Sequence, residues 1–209
     1  MASDFTLFLI AALVVAAVPG PGIFYVAART LSEGRAAGIA STLGTALGGL
    51  VHVVAGGLGV SAIIMASSEA FAALKFAGAL YLIWLGIRAF RKAGQLPSAP
   101  KPAGTARAFR EGIVVEATNP KTAAFFLAFI PQFLDASAAH PALQFMALGL
   151  ISVTLNTLAD FVVVALASAT RANVMQRPQV FRRLRQGSGL FMMGLGASLL
   201  LARRPVAAG

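Results

Sequence analysis

One acidic side chain, Asp160, lies about twenty residues into an apolar stretch that runs from Pro141 to Thr170. Asn156 comes one helical turn earlier and would share a helix face with it. A carboxylate surrounded by hydrocarbon is costly, and such residues usually serve the passage of ions or substrates. Asp160 is therefore a candidate for exchanging a proton or holding an ammonium group. The alternative, that the stretch ends early and leaves Asp160 at the membrane surface, is disfavoured by the uncharged segment 161–170.

Another chemically suggestive pattern is Pro19-Gly20-Pro21, within a stretch that carries no charge from residue 5 to residue 28. In a continuous helix the two prolines would leave the carbonyls of Val15 and Ala17 without donors. Gly20 lowers the cost of leaving helical dihedral angles. Non-helical backbone at membrane depth is tolerated only where protein or a watery cavity covers it. We predict a discontinuous helix that lines a binding site; the alternative is a structural kink that binds nothing.

A second interruption is predicted at Asn119-Pro120-Lys121. Pro120 disfavours helix at Asn119 and suits the first turn of a new helix. The start of that helix offers free N–H groups and a partial positive charge, and Lys121 adds a full charge. Together they predict a seat for a carboxylate. The alternative is that Lys121 extends to the cytoplasmic membrane surface.

Catalytic and metal-binding patterns are missing from the sequence. It has no cysteine and only two histidines, His52 and His140, and it lacks HExxH, phosphate-loop and dinucleotide-binding motifs. We therefore predict neither an enzyme, a cofactor nor a metal site. His52 could relay protons or serve as a hydrogen-bond partner in packing. Glu116 could pair with Lys121 or with a loop arginine.

The elements that must position these residues are membrane helices. Of 209 residues, 58% are hydrophobic and 11% are charged, whereas soluble domains carry about 25% charged residues. This composition excludes a soluble enzyme and a disordered chain. The net charge of +10 does not indicate a nucleic-acid partner, because the basic residues are distributed as membrane topology requires. The lipid bilayer is the expected environment.

Six apolar stretches are long enough to span a bilayer. They cover about 5–28, 36–68, 70–90, 112–134, 141–170 and 186–202. Because they lack the alternating polarity of barrel strands, we predict an all-α, polytopic membrane protein with six transmembrane helices. The first stretch is not read as a cleaved signal peptide, since it lacks a basic start and is too long.

The loops between these stretches differ sharply in charge. The first, third and fifth carry the basic residues, while the second and fourth carry almost none. The positive-inside rule then places the odd loops in the cytoplasm and both termini outside, in the periplasm. Arg203 and Arg204 in the tail count mildly against this orientation.

The two halves of the chain resemble each other. The segment Gly78–Gly86 aligns with Ser188–Gly196, and each half carries a helix breaker in its first span. We divide the chain into a three-helix repeat at 1–92, a cytoplasmic Pro/Gly/basic loop at 93–110 and a second three-helix repeat at 111–209. Because three spans are an odd number, the second repeat would be inverted, as in many transporters. Chance similarity between glycine-rich apolar segments is the alternative.

Taken in order, these motifs resemble the lysine exporter family of bacterial amino-acid efflux proteins. The matching segments are Pro19-Gly20-Pro21-Gly22, Gly78 to Ile87, Phe109 to Gly112, Asn119 to Phe126, Phe129 to Phe133 and Asp160. The resemblance covers nearly the whole chain. The Asn-Pro-Lys block with the later Pro-Gln-Phe is its most specific part.

The resemblance implies export of amino acids or their derivatives across the bacterial inner membrane, in exchange for protons. It implies that both helix breaks line the substrate site and that Asp160 takes part. Few carboxylates lie within the spans, and Phe161-Val162-Val163 replaces an aromatic pair that many members carry. A neutral substrate of the homoserine, threonine or leucine type is therefore favoured. The alternatives are export of another small solute, a metal cation or a metabolite, and a non-transporting assembly protein. The oligomeric state stays open, with a homodimer among the alternatives.

Overall fold

A computed structural model describes residues 2–66, 68–94, 104–134, 140–174 and 178–201. Within these ranges the chain is helical and contains no strand. The helices are α1 (Ala2–Ala17), α2 (Pro21–Glu33), α3 (Arg35–Ala66), α4 (Ser68–Arg91), α5 (Thr105–Ala117), α6 (Pro120–Ala124), α7 (Pro141–Val174) and α8 (Pro178–Leu201). A π-helical segment (Phe125–Phe129) and a 3-10 turn (Ile130–Phe133) follow α6.

Several of these helices are long and apolar enough to cross a membrane. Among the described residues four segments qualify, namely Arg35–Gly59, Ala72–Arg91, Thr105–Phe133 and Pro141–Ala169. The bent pair α1–α2 would be a fifth. Many large apolar side chains on the outside, such as Leu58 and Leu143, are exposed, as a lipid-facing surface requires. The prediction of an all-helical, multi-pass membrane protein is confirmed.

The sixth predicted span, 186–202, corresponds to α8, which is not among the candidate membrane helices found within the described residues. A sixth span therefore stays a prediction.

The loop predicted at 93–110 extends too far along the chain, because a helix begins before residue 110. Residues 105–110 belong to α5, whose helix begins directly after Gly104. They form helix because this segment packs against α3 instead of lying free in water. The loop between α2 and α3 is likewise reduced to Gly34, whose φ of 93° suits glycine.

Close contact between α3 and α5 positions part of the polar interior. A Cβ on Gly44 would collide with the carbonyl oxygen of Phe109, and one on Gly48 would lie 2.5 Å from that of Ile113. Gly112 faces the same contact from α5, since its Cβ would lie 2.7 Å from the carbonyl oxygen of Ser41. Small residues thus let the two backbones touch, and this places Glu116 of α5 against α3.

An aromatic and aliphatic core includes residues of α1, α7 and the segment that follows α6. It is built around buried Phe8, Phe125, Phe126 and Phe145. After α6 the backbone continues as the π-helical segment and then as the 3-10 turn, which is capped by Leu134. Pro131, within that turn, has no N–H to continue an α-helix. Stacking of the Phe125 and Phe129 rings, 5.1 Å apart, accompanies this change of helical period.

Candidate functional site

Both predicted helix interruptions are present. α1 ends at Ala17 and α2 begins at Pro21, with extended backbone at Gly20 and a bend of 43° between the two helices. α6 begins at Pro120, and the side-chain oxygen of Asn119 accepts a hydrogen bond from the Lys121 N–H at 3.1 Å. In each case proline occupies the first helical position, where its missing N–H costs nothing.

Lys121 joins the two interruptions. Its Nζ donates hydrogen bonds to the carbonyl oxygens of Val15, at 3.0 Å, and Val18, at 2.9 Å. The carbonyl of Val15 is one of the two that the prolines were predicted to leave without a helical donor. The residue is only 6% exposed, so the alternative in which Lys121 extends to the membrane surface is wrong. Its aliphatic chain lies against Gly20, where a Cβ would be 3.0 Å from Cε.

Glu116 organises the second interruption from inside the protein. It is 8% exposed, and its carboxylate accepts hydrogen bonds from Asn119 Nδ2 at 2.8 Å and from Thr122 Oγ1 at 2.6 Å. Gly22 leaves room for this carboxylate, since a Cβ there would lie 2.5 Å from Oε2. The Glu116 carbonyl oxygen lies 2.9 Å from His52 Nε2. His52 is therefore placed as a packing partner of α5.

Asp160 is buried in the middle of α7, at 5% exposure. Its Oδ2 accepts a hydrogen bond from Thr45 Oγ1 of α3 at 2.8 Å. Asn156 lies on the same side of α7 and donates its Nδ2 to the Ser152 carbonyl at 3.0 Å. The alternative in which Asp160 lies at the membrane surface is therefore wrong.

A small polar chamber, about 20 Å³ in volume, brings several of the predicted site residues together. The predicted residues that line it are Asn119, Lys121, Asn156 and Asp160. The other polar residues of its wall are Glu116, Thr45, Thr122 and Thr157. A volume of this size accommodates roughly one water molecule. The chamber is thus a small compartment with two carboxyl groups in its wall.

The other predicted site residues line a separate, larger cavity of about 580 Å³. Pro19, Gly20, Pro21 and Pro120 belong to its wall, and so does Lys121. The predicted set is therefore divided between two compartments. Lys121 lines both of them and occupies the space between them.

A buried ion-pair cluster was not anticipated from the sequence, where Arg29 counted only as a loop charge. Arg29 is 1% exposed, and its guanidinium pairs with Glu33 and Glu111. Its Nε also donates to Tyr25 Oη at 3.2 Å, and that hydroxyl donates to the Ala108 carbonyl at 2.9 Å. The cluster fastens the end of α2 to the start of α5. The i,i+4 spacing of Arg29 and Glu33 was the one available signal.

We expect Arg29→Met to lower the stability of the folded protein by about 2 kcal/mol, because it removes the charge-assisted hydrogen bonds that the buried guanidinium donates to Glu33 and Glu111. The measurement is thermal unfolding in detergent. Arg35→Met, which removes an exposed cation, should change stability little. The triple variant Arg29→Met/Glu33→Gln/Glu111→Gln should recover part of the loss. Equal effects of Arg29→Met and Arg35→Met would contradict the assignment.

Two interrupted helices joined by a buried lysine inside a multi-pass membrane protein are typical of transporters. Residues 13–203 match the family described as LysE type translocator, and the chain belongs to this family. The family resemblance drawn from the sequence is thereby confirmed.

Named relatives cover nearly the whole chain. A homoserine/homoserine lactone efflux protein of Salmonella typhimurium is 31% identical, over 94% of this chain and 95% of its own. A leucine efflux protein of Klebsiella pneumoniae is 26% identical, over 94% of each. An uncharacterized membrane protein of Vibrio cholerae is 31% identical, over 94% of this chain and 96% of its own. No solved structure matches.

Proposed function

We propose that this protein is a secondary transporter that exports neutral amino acids or their derivatives across the bacterial inner membrane, in exchange for protons. The observation that carries the proposal is the meeting of both helix breaks with the buried Asp160 around Lys121. The names of the Salmonella and Klebsiella relatives support a substrate of the homoserine or leucine type. No catalytic residue, cofactor or metal is assigned.

The substrate is proposed to exchange places with the Lys121 ammonium. Lys121 now donates to the carbonyls of Val15 and Val18, where the free ammonium of an amino acid would fit equally well. The substrate carboxylate, arriving through the larger cavity, draws the Lys121 ammonium away from these carbonyls. One cation thus replaces another, and no buried carbonyl is left without a donor. The sequence predicts Lys121 as a seat for the substrate carboxylate; in this proposal its ammonium also occupies the substrate's ammonium position between transport cycles.

Asp160 is proposed as the proton-coupling group. When ionised it attracts the substrate ammonium, and a proton that enters from outside neutralises it and releases the substrate outward. One charge that crosses 100 mV supplies about 2.3 kcal/mol. At about 1.4 kcal/mol per decade, this sustains roughly a fifty-fold outward gradient. A single proton per substrate is therefore sufficient for export.

Alternating access between two inverted three-helix repeats is the proposed architecture, with six spans and both termini outside. The alignment of Gly78–Gly86 with Ser188–Gly196 pairs Gly86 with Gly196 and Ala79 with Gly189. A Cβ on Gly86 would lie 2.5 Å from the Gly189 carbonyl oxygen, and one on Gly196 would lie 2.6 Å from that of Ala79. When each residue is replaced by its aligned partner, the Gly86–Gly189 contact becomes the Gly196–Ala79 contact. This equivalence supports a two-fold axis between α4 and α8.

The test is efflux from proteoliposomes loaded with labelled leucine, threonine or homoserine. Substrate should leave faster when the external buffer is acidic, and protein-free liposomes are the control. Export of a divalent cation or another metabolite in place of these amino acids would favour the alternative solute. Absence of all such fluxes, from protein shown to be folded, would favour a non-transporting assembly protein.

A further inference from the structure

The charged residues that line the larger cavity are all basic, among the residues that the structure describes. The cavity lies among α2, α4, α6 and α8, and its described lining contains Arg88, Lys92, Lys121 and Arg185 but no acidic residue. Apolar side chains, among them Phe24 and Met192, form much of the remaining wall. A cationic cavity with apolar walls suits a ligand that combines an anionic group with an apolar body.

The two arginines of the larger cavity, Arg88 and Arg185, contact neighbouring aromatic rings and backbone. The Arg185 guanidinium carbon lies 5.1 Å from the centroid of the Phe24 ring, and its Nη1 donates to the Lys92 carbonyl at 3.2 Å. The Arg88 guanidinium carbon lies 5.3 Å from the centroid of the Trp84 ring. A guanidinium presents its N–H donors in a planar fork that matches the geometry of a carboxylate, so arginines in this wall suit an anionic ligand.

The inner end of the cavity is also polar. Lys121 lies there, and Ser188 donates its hydroxyl to the Pro19 carbonyl. A ligand in this cavity would therefore meet polar groups at both ends and apolar walls between them. That pattern suits a small solute better than the acyl chain of a lipid, which would leave the inner polar groups facing hydrocarbon.

The basic residues of the cavity then favour anionic solutes over cationic ones. Cations grouped around a cavity with low-dielectric walls raise the local concentration of anions and lower that of cations. We infer that the larger cavity is a binding vestibule for carboxylate-bearing amino-acid derivatives without a free ammonium, such as N-acylated amino acids, and that it disfavours cationic solutes. Such a ligand has no ammonium to replace that of Lys121, so it is a second class of ligand beside the proposed amino-acid substrate. The inference rests on the proposed function only in treating the larger cavity as part of the transport route.

Three ligands that share the leucine side chain but differ in charge test the inference. N-acetyl-leucine is an anion, leucine a zwitterion and leucinamide a cation. Their binding is measured by calorimetry on the full chain in nanodiscs of phosphatidylcholine. A charge-assisted hydrogen bond contributes about 1.5–3 kcal/mol, so N-acetyl-leucine should bind at least about ten-fold more tightly than leucinamide. Added salt should reduce this ratio.

Matched variants test whether the preference for N-acetyl-leucine depends on the arginines of the larger cavity. Arg88→Gln and Arg185→Gln should each reduce the preference for N-acetyl-leucine several-fold, and Arg88→Glu should reduce it further. Arg91→Gln is the control, because Arg91 is exposed on the same helix and is not among the lining residues. Equal binding of anion and cation, or an equal effect of Arg91→Gln, would overturn the inference.

The remaining outcomes are also decisive. If anionic lipid added to the nanodiscs displaces N-acetyl-leucine, the cavity holds a lipid headgroup and the solute assignment is wrong. If N-acetyl-leucine binds as expected but no amino acid is exported, the proposed function fails and the vestibule stands. If efflux is normal but the ligands do not differ in affinity, only the vestibule fails.

Discussion

Replacing Lys121 by methionine is expected to reduce amino-acid efflux about a hundred-fold, since truncating one partner of a buried charged contact costs roughly 2–5 kcal/mol. Methionine keeps the length of the apolar chain beside Gly20 but cannot donate to the carbonyls of Val15 and Val18. The substrate carboxylate would lose its attracting cation, and the two helix breaks would lose their direct link. The measurement is the initial efflux rate of labelled leucine, per amount of protein, from proteoliposomes.

A matched substitution shows whether the loss is specific. Lys75→Met makes the same chemical change on α4, at a residue that lines neither the chamber nor the larger cavity. It should retain nearly full activity. Size-exclusion chromatography and thermal unfolding of Lys121→Met separate loss of function from loss of fold. Efflux near the unmodified rate from folded Lys121→Met would refute the exchange of ammonium groups.

The second large effect is expected for Asp160→Asn, which should remove the acceleration of efflux by an acidic external buffer. The amide oxygen of asparagine can still accept the hydrogen bond from Thr45 Oγ1, so the chamber keeps its structure. The amide cannot be protonated in this pH range, and coupling to the proton gradient is lost. Exchange of labelled for unlabelled substrate, which needs no net proton movement, should continue, but at higher substrate concentrations, because the amide lacks the charge that attracts the substrate ammonium.

Two assays therefore distinguish the roles of the two residues. Lys121→Met should be inactive in both gradient-driven efflux and substrate exchange, whereas Asp160→Asn should fail only in the first. Glu69→Gln, which changes an exposed acid at the start of α4, serves as the control for Asp160→Asn. Persisting acceleration by external acid in Asp160→Asn would remove this residue from the coupling mechanism.

Part of the site was predictable because it depends on local chemistry. Proline lacks an N–H wherever it occurs, so the breaks at Pro19–Pro21 and Asn119–Pro120 followed from residue type alone. The apolar flanks of Asp160 likewise predicted its burial. Gly44 and Gly112 make close helix contact, but only the structure shows that their helices face each other.

The partners of long side chains were not predictable. Lys121 was equally consistent with a cavity and with the membrane surface, because four rotatable bonds let its ammonium reach either. Its partners, the carbonyls of Val15 and Val18, lie about a hundred positions away in the chain. Arg29 is buried for the same reason, since its partner Glu111 belongs to a different helix.

The sequence by itself determined that this chain enters a membrane as helices, where two of those helices break and that the Asp160 carboxyl group is buried. These properties depend on the composition of a segment and on neighbours within one or two helical turns. Only the tertiary structure decided that Lys121 bridges the breaks, that the predicted residues line two compartments and that Arg29 fastens α2 to α5. Those outcomes depend on which helices pack together, and that is a property of the whole chain rather than of any segment of it.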